Sequence, residues 1–208
     1  HVLYGVSEAE ANAMDPQQRL LLEACGITKR GGRFHGDESN IGIFIGIASY
    51  EWIQFQNVSR SPHAVTGGAP CIIANRASYV FGFQGPSIVC DTACSSSVVA
   101  LHIARVQMCS SDCQLALAGG VNVMIGPFAF VGACVVQMLS TDGRSKTFDA
   151  SADGYGRGEG CGVVYLMRSD QQGEVRIDAT GVNQDGRSAS ITAPNGPSQV
   201  RLITSCIS

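Results

Sequence analysis

Asp91-Thr92-Ala93-Cys94-Ser95-Ser96-Ser97 sets a cysteine between a short β-branched stretch, Ser87–Asp91, and an apolar run that reads as a helix from Cys94 to about Met108. At such a junction the sulfur lies near a helix N-terminus. Free backbone N–H groups and the positive end of the helix dipole there favour a thiolate. The same unpaired amides can donate hydrogen bonds to an oxyanion. A nucleophile beside part of the machinery that stabilises a tetrahedral intermediate is the layout of covalent acyl transfer. Three small serines after the cysteine allow close approach of a substrate or a neighbouring backbone, and Asp91 or Thr92 can cap the helix. Most cysteines are small buried hydrophobes, so local chemistry alone leaves nucleophile and core thiol as open alternatives for Cys94.

No histidine reads as its general base. His102 shares the helix with Cys94, but eight residues of α-helix separate them by about 12 Å of rise and turn His102 about 80° off the cysteine's face. It reads as a core or interface histidine. His1 stands at the start of the chain and His35 and His63 in polar loops, with no motif around them. Gly154-Tyr-Gly-Arg-Gly-Glu-Gly160 contains neither G-x-G-x-x-G nor a P-loop pattern and leads into a strand, so it reads as a close-packed turn and not as a phosphate cradle. Cys109 and Cys113 are the closely spaced pair with metal-like spacing. Without a second Cys or His pair nearby they do not read as zinc ligands.

The elements that position these residues follow from the pattern of apolar runs. Asp15-Pro16 reads as N-cap and first helical residue of a helix over Gln17–Ala24, stopping at Gly26. Lys29–Asn40 is a polar, glycine-rich loop. Ile41–Ile47 reads as a buried strand, Cys71–Val80 as a helix closed by Gly82 and Gly85-Pro86, and Ser87–Asp91 as the strand before Cys94. Strands are expected at Leu115–Met124, Gly162–Met167 and Val175–Val182. Helices are expected around Phe128–Met138 and from Ser198, with a long loop over Thr141–Gly160 and a polar turn over Asn183–Pro197. Alternating strands and helices predict an α/β layered fold.

Composition narrows the class. The 208 residues are 45% hydrophobic and 15% charged, which fits a globular chain with a full-sized core or the larger part of one. A formal net charge of −3 gives no reason to expect nucleic acid or an anionic membrane as partner. No apolar run approaches the ~18–20 residues of a membrane span. Nine cysteines, odd in number and set among apolar neighbours, read as reduced thiols and not as a disulfide framework. The chain opens on His1 and closes inside a plausible helix, so it reads as part of a longer protein. The expected compartment is the cytoplasm, with an organelle left open because a targeting segment would lie upstream.

Several stretches resemble the β-ketoacyl synthase domains of modular (type I) polyketide synthases. They are Asp15-Pro-Gln-Gln-Arg-Leu-Leu-Leu-Glu23, Gly85-Pro-Ser87, Asp91–Ser97, Leu115–Met124, Phe148-Asp-Ala150, Asp153-Gly-Tyr155, Arg157-Gly-Glu-Gly160, Val182-Asn-Gln-Asp-Gly-Arg187 and Thr192–Pro197. They run in order over almost the whole chain. The resemblance implies a thiolase-like fold, layered αβαβα, with this chain supplying the N-terminal half (about 1–170) and the beginning of the C-terminal half (about 171–208). It implies that Cys94 accepts an acyl group as a thioester from the phosphopantetheine of an acyl carrier protein, with no cofactor or metal bound directly. A malonyl-type extender then loses CO₂ and lengthens the chain in polyketide or fatty acid assembly. It also implies a homodimer with Ser87–Asp91 near the two-fold axis.

Two histidines and a lysine that such enzymes take from the second half have no counterpart here, and the 208 residues alone are expected not to condense. Lys29–Asp37, Ser188–Ile191 and Ser205–Ser208 depart from the family pattern. Two rival readings stand beside this one. One is a non-catalytic ketosynthase-like module that binds carrier protein or holds a dimer. The other is a thiolase or chalcone-synthase-like enzyme acting on CoA esters.

Overall fold

Ile41–Gly46 (β1) is buried along its whole length, as a central parallel strand between two helical layers must be. It pairs in parallel with Ser87–Cys90 (β2) on one side and with Leu115–Asn122 (β3) on the other. Gly160–Met167 (β4) closes the far side antiparallel to β3, giving the order β2-β1-β3-β4. The computed structural model describes residues 4–31, 39–56, 61–168 and 175–207. His1, His35 and most of the expected loop over Lys29–Asn40 lie outside the described residues.

Strand alternation divides the sheet's side chains between two cores. Ile41, Ile43, Ile45, Leu115 and Leu117 pack against Leu21, Leu22, Cys25, Ile73, Ala74 and Ala77. Those partners belong to two helices on one face, Pro16–Gly31 (α2) and Ile72–Phe81 (α5). Phe44, Ala116 and Ala118 face Ala100, Ala104 and Met108 of Ser96–Cys109 (α6) on the other. Helices thus cover both faces of a single sheet. The short helices Glu8–Ala13 (α1), Trp52–Gln56 (α3) and Ala64–Gly68 (α4), together with Phe128–Val135 (α7) and Gly196–Ile207 (α8), complete the described elements.

The expected start of α2 is observed: the Asp15 carboxylate accepts the Gln17 N–H at 2.8 Å, and Pro16 opens the helix. Its expected stop is not. The helix runs through Gly26 to Gly31, because Gly26 makes room for a neighbour and does not end the helix. A Cβ there would lie 2.7 Å from the Tyr4 hydroxyl oxygen. Gly82 does close α5, with a left-handed φ of 72°. The strand expected over Val175–Val182 is absent: residues 175–182 belong to no ladder. An apolar run becomes a strand only where a neighbour supplies its hydrogen-bond partners, and none of the four strands pairs with it.

Asp15-Pro16-Gln17-Gln18 owes its residue types to a buried polar junction. Gln17 donates to the Ser49 carbonyl at 2.9 Å and accepts the Val123 N–H at 3.2 Å, joining the loops that follow β1 and β3. Gln18 donates to the Thr66 and Gly67 carbonyls at 3.1 and 2.9 Å and accepts from Arg76 Nε at 2.7 Å. Arg76 in turn pairs with Glu10 at 2.6 Å. Gln18→Leu should therefore strand Arg76 Nε, while the Thr66 and Gly67 carbonyls keep donors from Arg76 and the Asp15 N–H. The expected loss is about 1–3 kcal/mol, the cost of one buried group left unpaired, read as a lowered urea midpoint.

The core sulfur makes a pH prediction. Burial, with Cys161 nearby, pushes the Cys25 thiol from 9.0 up to about 12. Between those values the unfolded chain has given up a proton that the folded chain still holds. Stability is therefore intact below about pH 9 and falls as pH rises toward 12. The urea midpoint should drop over that window, and Cys25→Ala, although less stable at neutral pH, should show a shallower alkaline slope.

Candidate active site

β1 and β2 end level, Gly46 standing opposite Cys90, and β3 runs two residues past Gly120, its own partner for Gly46. The loops after β1, β2 and β3 consequently gather at one carboxyl edge, where open α/β sheets place their sites. Cys94 lies in the loop after β2 and is exposed. The helix behind it begins at Ser96, two residues later than the sequence reading put it. Cys94 belongs to the entering turn and not to the helix itself.

That turn departs from ordinary backbone at one residue: Ala93 has a φ of 56°, a left-handed conformation that costs a side-chain-bearing residue roughly 1–2 kcal/mol. Several bonds hold it there. The Asp91 carboxylate accepts the Ala93 N–H at 2.9 Å. The Ser96 hydroxyl accepts the Thr92 N–H at 2.8 Å and donates to the Ala93 carbonyl at 2.6 Å. The Ser95 hydroxyl donates to the Thr92 carbonyl at 2.8 Å. Among the described residues no acceptor engages the Cys94 N–H, which leaves it free beside its own sulfur.

Two glycines decide how near this turn comes to the sheet. A Cβ on Gly46 would overlap the Ser96 carbonyl carbon and the Ser97 nitrogen, and one on Gly120 would lie 2.8 Å from the Ser97 Cβ. The first turn of α6 therefore rests directly on the ends of β1 and β3. In the sequence Gly46 lies near the end of one apolar run and Gly120 inside another, and neither marks a close approach by itself.

The remaining loops at this edge are anchored by carboxylates. Glu51, buried at 6% exposure, accepts the N–H groups of Ile125 and Gly126 at 2.8 and 3.0 Å. Burial works to raise its pKa, but the backbone amides of Gly126, Ile125 and Ala129 and the charge of Arg157 outweigh burial and hold the carboxyl below its usual range. Glu159 accepts the Met124 N–H at 2.6 Å. Within Thr141–Gly160, Lys146 bonds Asp153 at 2.7 Å. That ammonium, then the Ser140 hydroxyl, holds the Asp153 carboxyl well below the usual range. No sequence signal singled out Glu51, whose role appears only once the loop after β3 is in place.

Other candidates fall away from Cys94. His102 bonds Thr180 at 2.9 Å, tying α6 to the 175–182 segment, and His63 stands at the start of α4. Gly154 and Gly156 sit where a Cβ would overlap the backbone of Leu139–Ser140 and of Gly143, a close-packed turn. Cys109 is exposed while Cys113 is buried. Among the described residues no group of three or more His, Cys, Asp or Glu side chains gathers as metal ligands would. Two surface hollows, of about 590 and 310 Å³, are lined by Asn183–Pro194 and by residues of α1 and α2, and Cys94 borders neither.

An α/β sheet carrying an exposed cysteine on a strained strand-to-helix turn defines a class of protein, and comparison with known proteins says which. A family model described as "Beta-ketoacyl synthase, N-terminal domain" matches residues 1–172. The chain belongs to the β-ketoacyl synthase family. It is 42% identical over 214 residues to the highly reducing polyketide synthase verA of Penicillium polonicum, covering 97% of this chain and 8% of that protein. It is 44% identical over 216 residues to the spectinabilin polyketide synthase system protein NorC of Streptomyces orinoci, covering 97% and 9%. The chain thus spans less than a tenth of the length of either relative.

Among solved structures it superposes on the ketosynthase from module 6 of the bacillaene synthase from Bacillus subtilis 168 with a TM-score of 0.87. That match has 32% identity and covers 99% of this chain and 37% of that one. The Streptomyces albus oxazolomycin ketosynthase domain OzmH KS7 gives a TM-score of 0.84 at 31% identity, covering 98% and 37%. The fold is thiolase-like, as the resemblance implied.

Because Gly46 meets backbone and not a mobile side chain, Gly46→Ala has no inexpensive relief. We expect a loss of about 3 kcal/mol, the upper end for overpacking, read from the urea midpoint. A slowed alkylation of Cys94 by iodoacetamide, read by peptide mapping, should accompany it as the turn is displaced.

Proposed function

We propose that this chain is the cysteine-bearing part of a β-ketoacyl synthase, an acyltransferase that performs decarboxylative condensation in polyketide assembly. Residues 1 to about 170 form its N-terminal half and about 171–208 begin its C-terminal half; the family match over residues 1–172 supports that division. The observation that carries the reading is the exposed Cys94 on its laced turn, its own N–H unengaged, in a chain of this family.

The Cys94 thiolate attacks the carbonyl carbon of an acyl thioester held on the phosphopantetheine of an acyl carrier protein. A new S–C bond forms and the carbonyl electron pair moves to oxygen, where the Cys94 N–H donates to it. Collapse expels the carrier thiolate, which takes up a proton. A malonyl-type thioester then loses CO₂, and the electron pair of the broken C–C bond stays on its α-carbon. That carbon attacks the Cys94-bound acyl carbonyl. The C–S bond to Cys94 breaks, the thiolate is regenerated, and a β-ketoacyl thioester remains on the carrier.

The partners proposed are therefore acyl carrier protein, acyl and malonyl-type thioesters, and a second copy of the synthase with β2 near the two-fold axis. Nine unpaired cysteines suit the reducing cytoplasm.

Incubation with a short-chain acyl-N-acetylcysteamine thioester followed by peptide mapping tests the assignment. The acyl group should reside on Cys94, and Cys94→Ala should lower loading at least about 10³-fold, as removal of a nucleophile does. A label on Cys71 or Cys90, or none at all, would overturn it, and the absence of any label would favour the non-catalytic module.

A further inference from the structure

We propose that Ser96 is a positioning residue for acyl transfer: its hydroxyl fixes the plane of the Ala93–Cys94 peptide and so aims the Cys94 N–H at the developing oxyanion. The inference rests on the reading of Cys94 as the acyl site. Three serines follow Cys94, and of these only Ser96 is buried, at 4% exposure. Its hydroxyl accepts from the Thr92 N–H at 2.8 Å and donates to the Ala93 carbonyl at 2.6 Å. These two bonds reach both sides of the left-handed residue Ala93.

The second bond is the informative one. In a trans peptide the carbonyl and the N–H lie in one plane and point in opposite directions. The Ala93 carbonyl belongs to the same peptide as the Cys94 N–H. Drawing that carbonyl down onto Ser96 turns the Cys94 N–H away from the helix, and no acceptor among the described residues engages it. The Ser96 backbone N–H bonds the same carbonyl at 3.1 Å, so the hydroxyl supplies the second of two constraints on one peptide plane. Ser96 is itself immobile, because its backbone lies against Gly46 and its carbonyl accepts from the Cys90 thiol at 3.4 Å. A strained residue persists where its surroundings over-determine it, and such strain gathers at functional turns.

The role separates experimentally from mere support of the fold, because two reactions at one sulfur differ in their need for the amide. Alkylation by iodoacetamide displaces iodide at a saturated carbon and forms no oxyanion. Acylation by an acyl-N-acetylcysteamine thioester passes through a tetrahedral oxyanion.

In Ser96→Ala and in the near-isosteric Ser96→Cys, both rates are read at Cys94 by peptide mapping. Acylation should fall about tenfold or more, below the 10²–10³ for complete loss of an oxyanion donor, while alkylation changes less than about threefold. Ser110→Ala, at the far end of α6 with its hydroxyl on Gln107 and Asp112, should leave the ratio of the two rates unaltered. Equal losses in both reactions would show that Ser96 merely holds the fold, and an unchanged ratio in both Ser96 variants would equally overturn the proposal. Failure of the underlying reading looks different: the unsubstituted protein would then alkylate at Cys94 without ever accepting an acyl group there.

Discussion

Everything at this site depends on how closely one helix turn can approach the end of a sheet. Side chains on both surfaces normally hold a helix off the sheet it covers. Over β1 and β3 that spacing is locally abolished, because Gly46 and Gly120 present no side chain to Ser96 and Ser97. Ala116 and Ala118 keep the neighbouring surface low beneath α6. Backbone against backbone leaves no rotamer to absorb an error. The position of the turn before α6 is therefore as rigid as the sheet itself, and Cys94 inherits that rigidity from a residue two places away.

Such a turn has to be held from outside as well, since the loops at the carboxyl edge come from distant parts of the chain. Gln17 ties the loop after β1 to the loop after β3, and Glu51 gathers the amides that precede α7. These are buried polar groups, and their energetics are asymmetric: a satisfied one contributes modestly, while a broken one leaves a desolvated donor or acceptor behind. The junction thus discourages alternative arrangements more than it deepens the native one. The left-handed Ala93 is held closer to hand, by Asp91 and Ser96.

The parts of this design that rest on local pattern were legible in the sequence. The runs Ile41–Gly46 and Leu115–Asn122 announce buried strands, Asp15-Pro16 announces a helix start, and Gly82 announces a helix end. The strand-to-helix junction that carries Cys94 was legible too, although its helix begins only at Ser96. What escaped the sequence depends on partners far along the chain. Gly26 and Gly82 look alike as letters, yet one clears space for Tyr4 and the other turns left-handed. Residues 175–182 have the composition of a strand but no ladder to join. Helices α1, α3 and α4 have five or six residues, too few to show a 3.6-residue period. Ser95, Ser96 and Ser97 are identical as residues, and only the folded turn, which buries the middle one and bonds its hydroxyl to Thr92 and Ala93, tells them apart.

The chain also sorts its sulfurs. Burial pushes the thiols of Cys25, Cys90, Cys113 and Cys161 upward, and a thiol so held stays protonated and unreactive at neutral pH. Cys90 makes the comparison sharp, because it lies four residues from Cys94 on the same segment. Burial and the Asp91 charge keep its proton in place, and its S–H is spent on the Ser96 carbonyl. Exposure alone does not mark a nucleophile either, since Cys71, Cys109 and Cys134 are exposed as well. Cys71 opens α5, Cys109 ends α6 and Cys134 lies inside α7. Cys94 differs in carrying its open sulfur on a turn that the sheet and Ser96 together prevent from relaxing. On the reading proposed for Cys94, reactivity follows from the backbone around the thiol more than from the thiol itself.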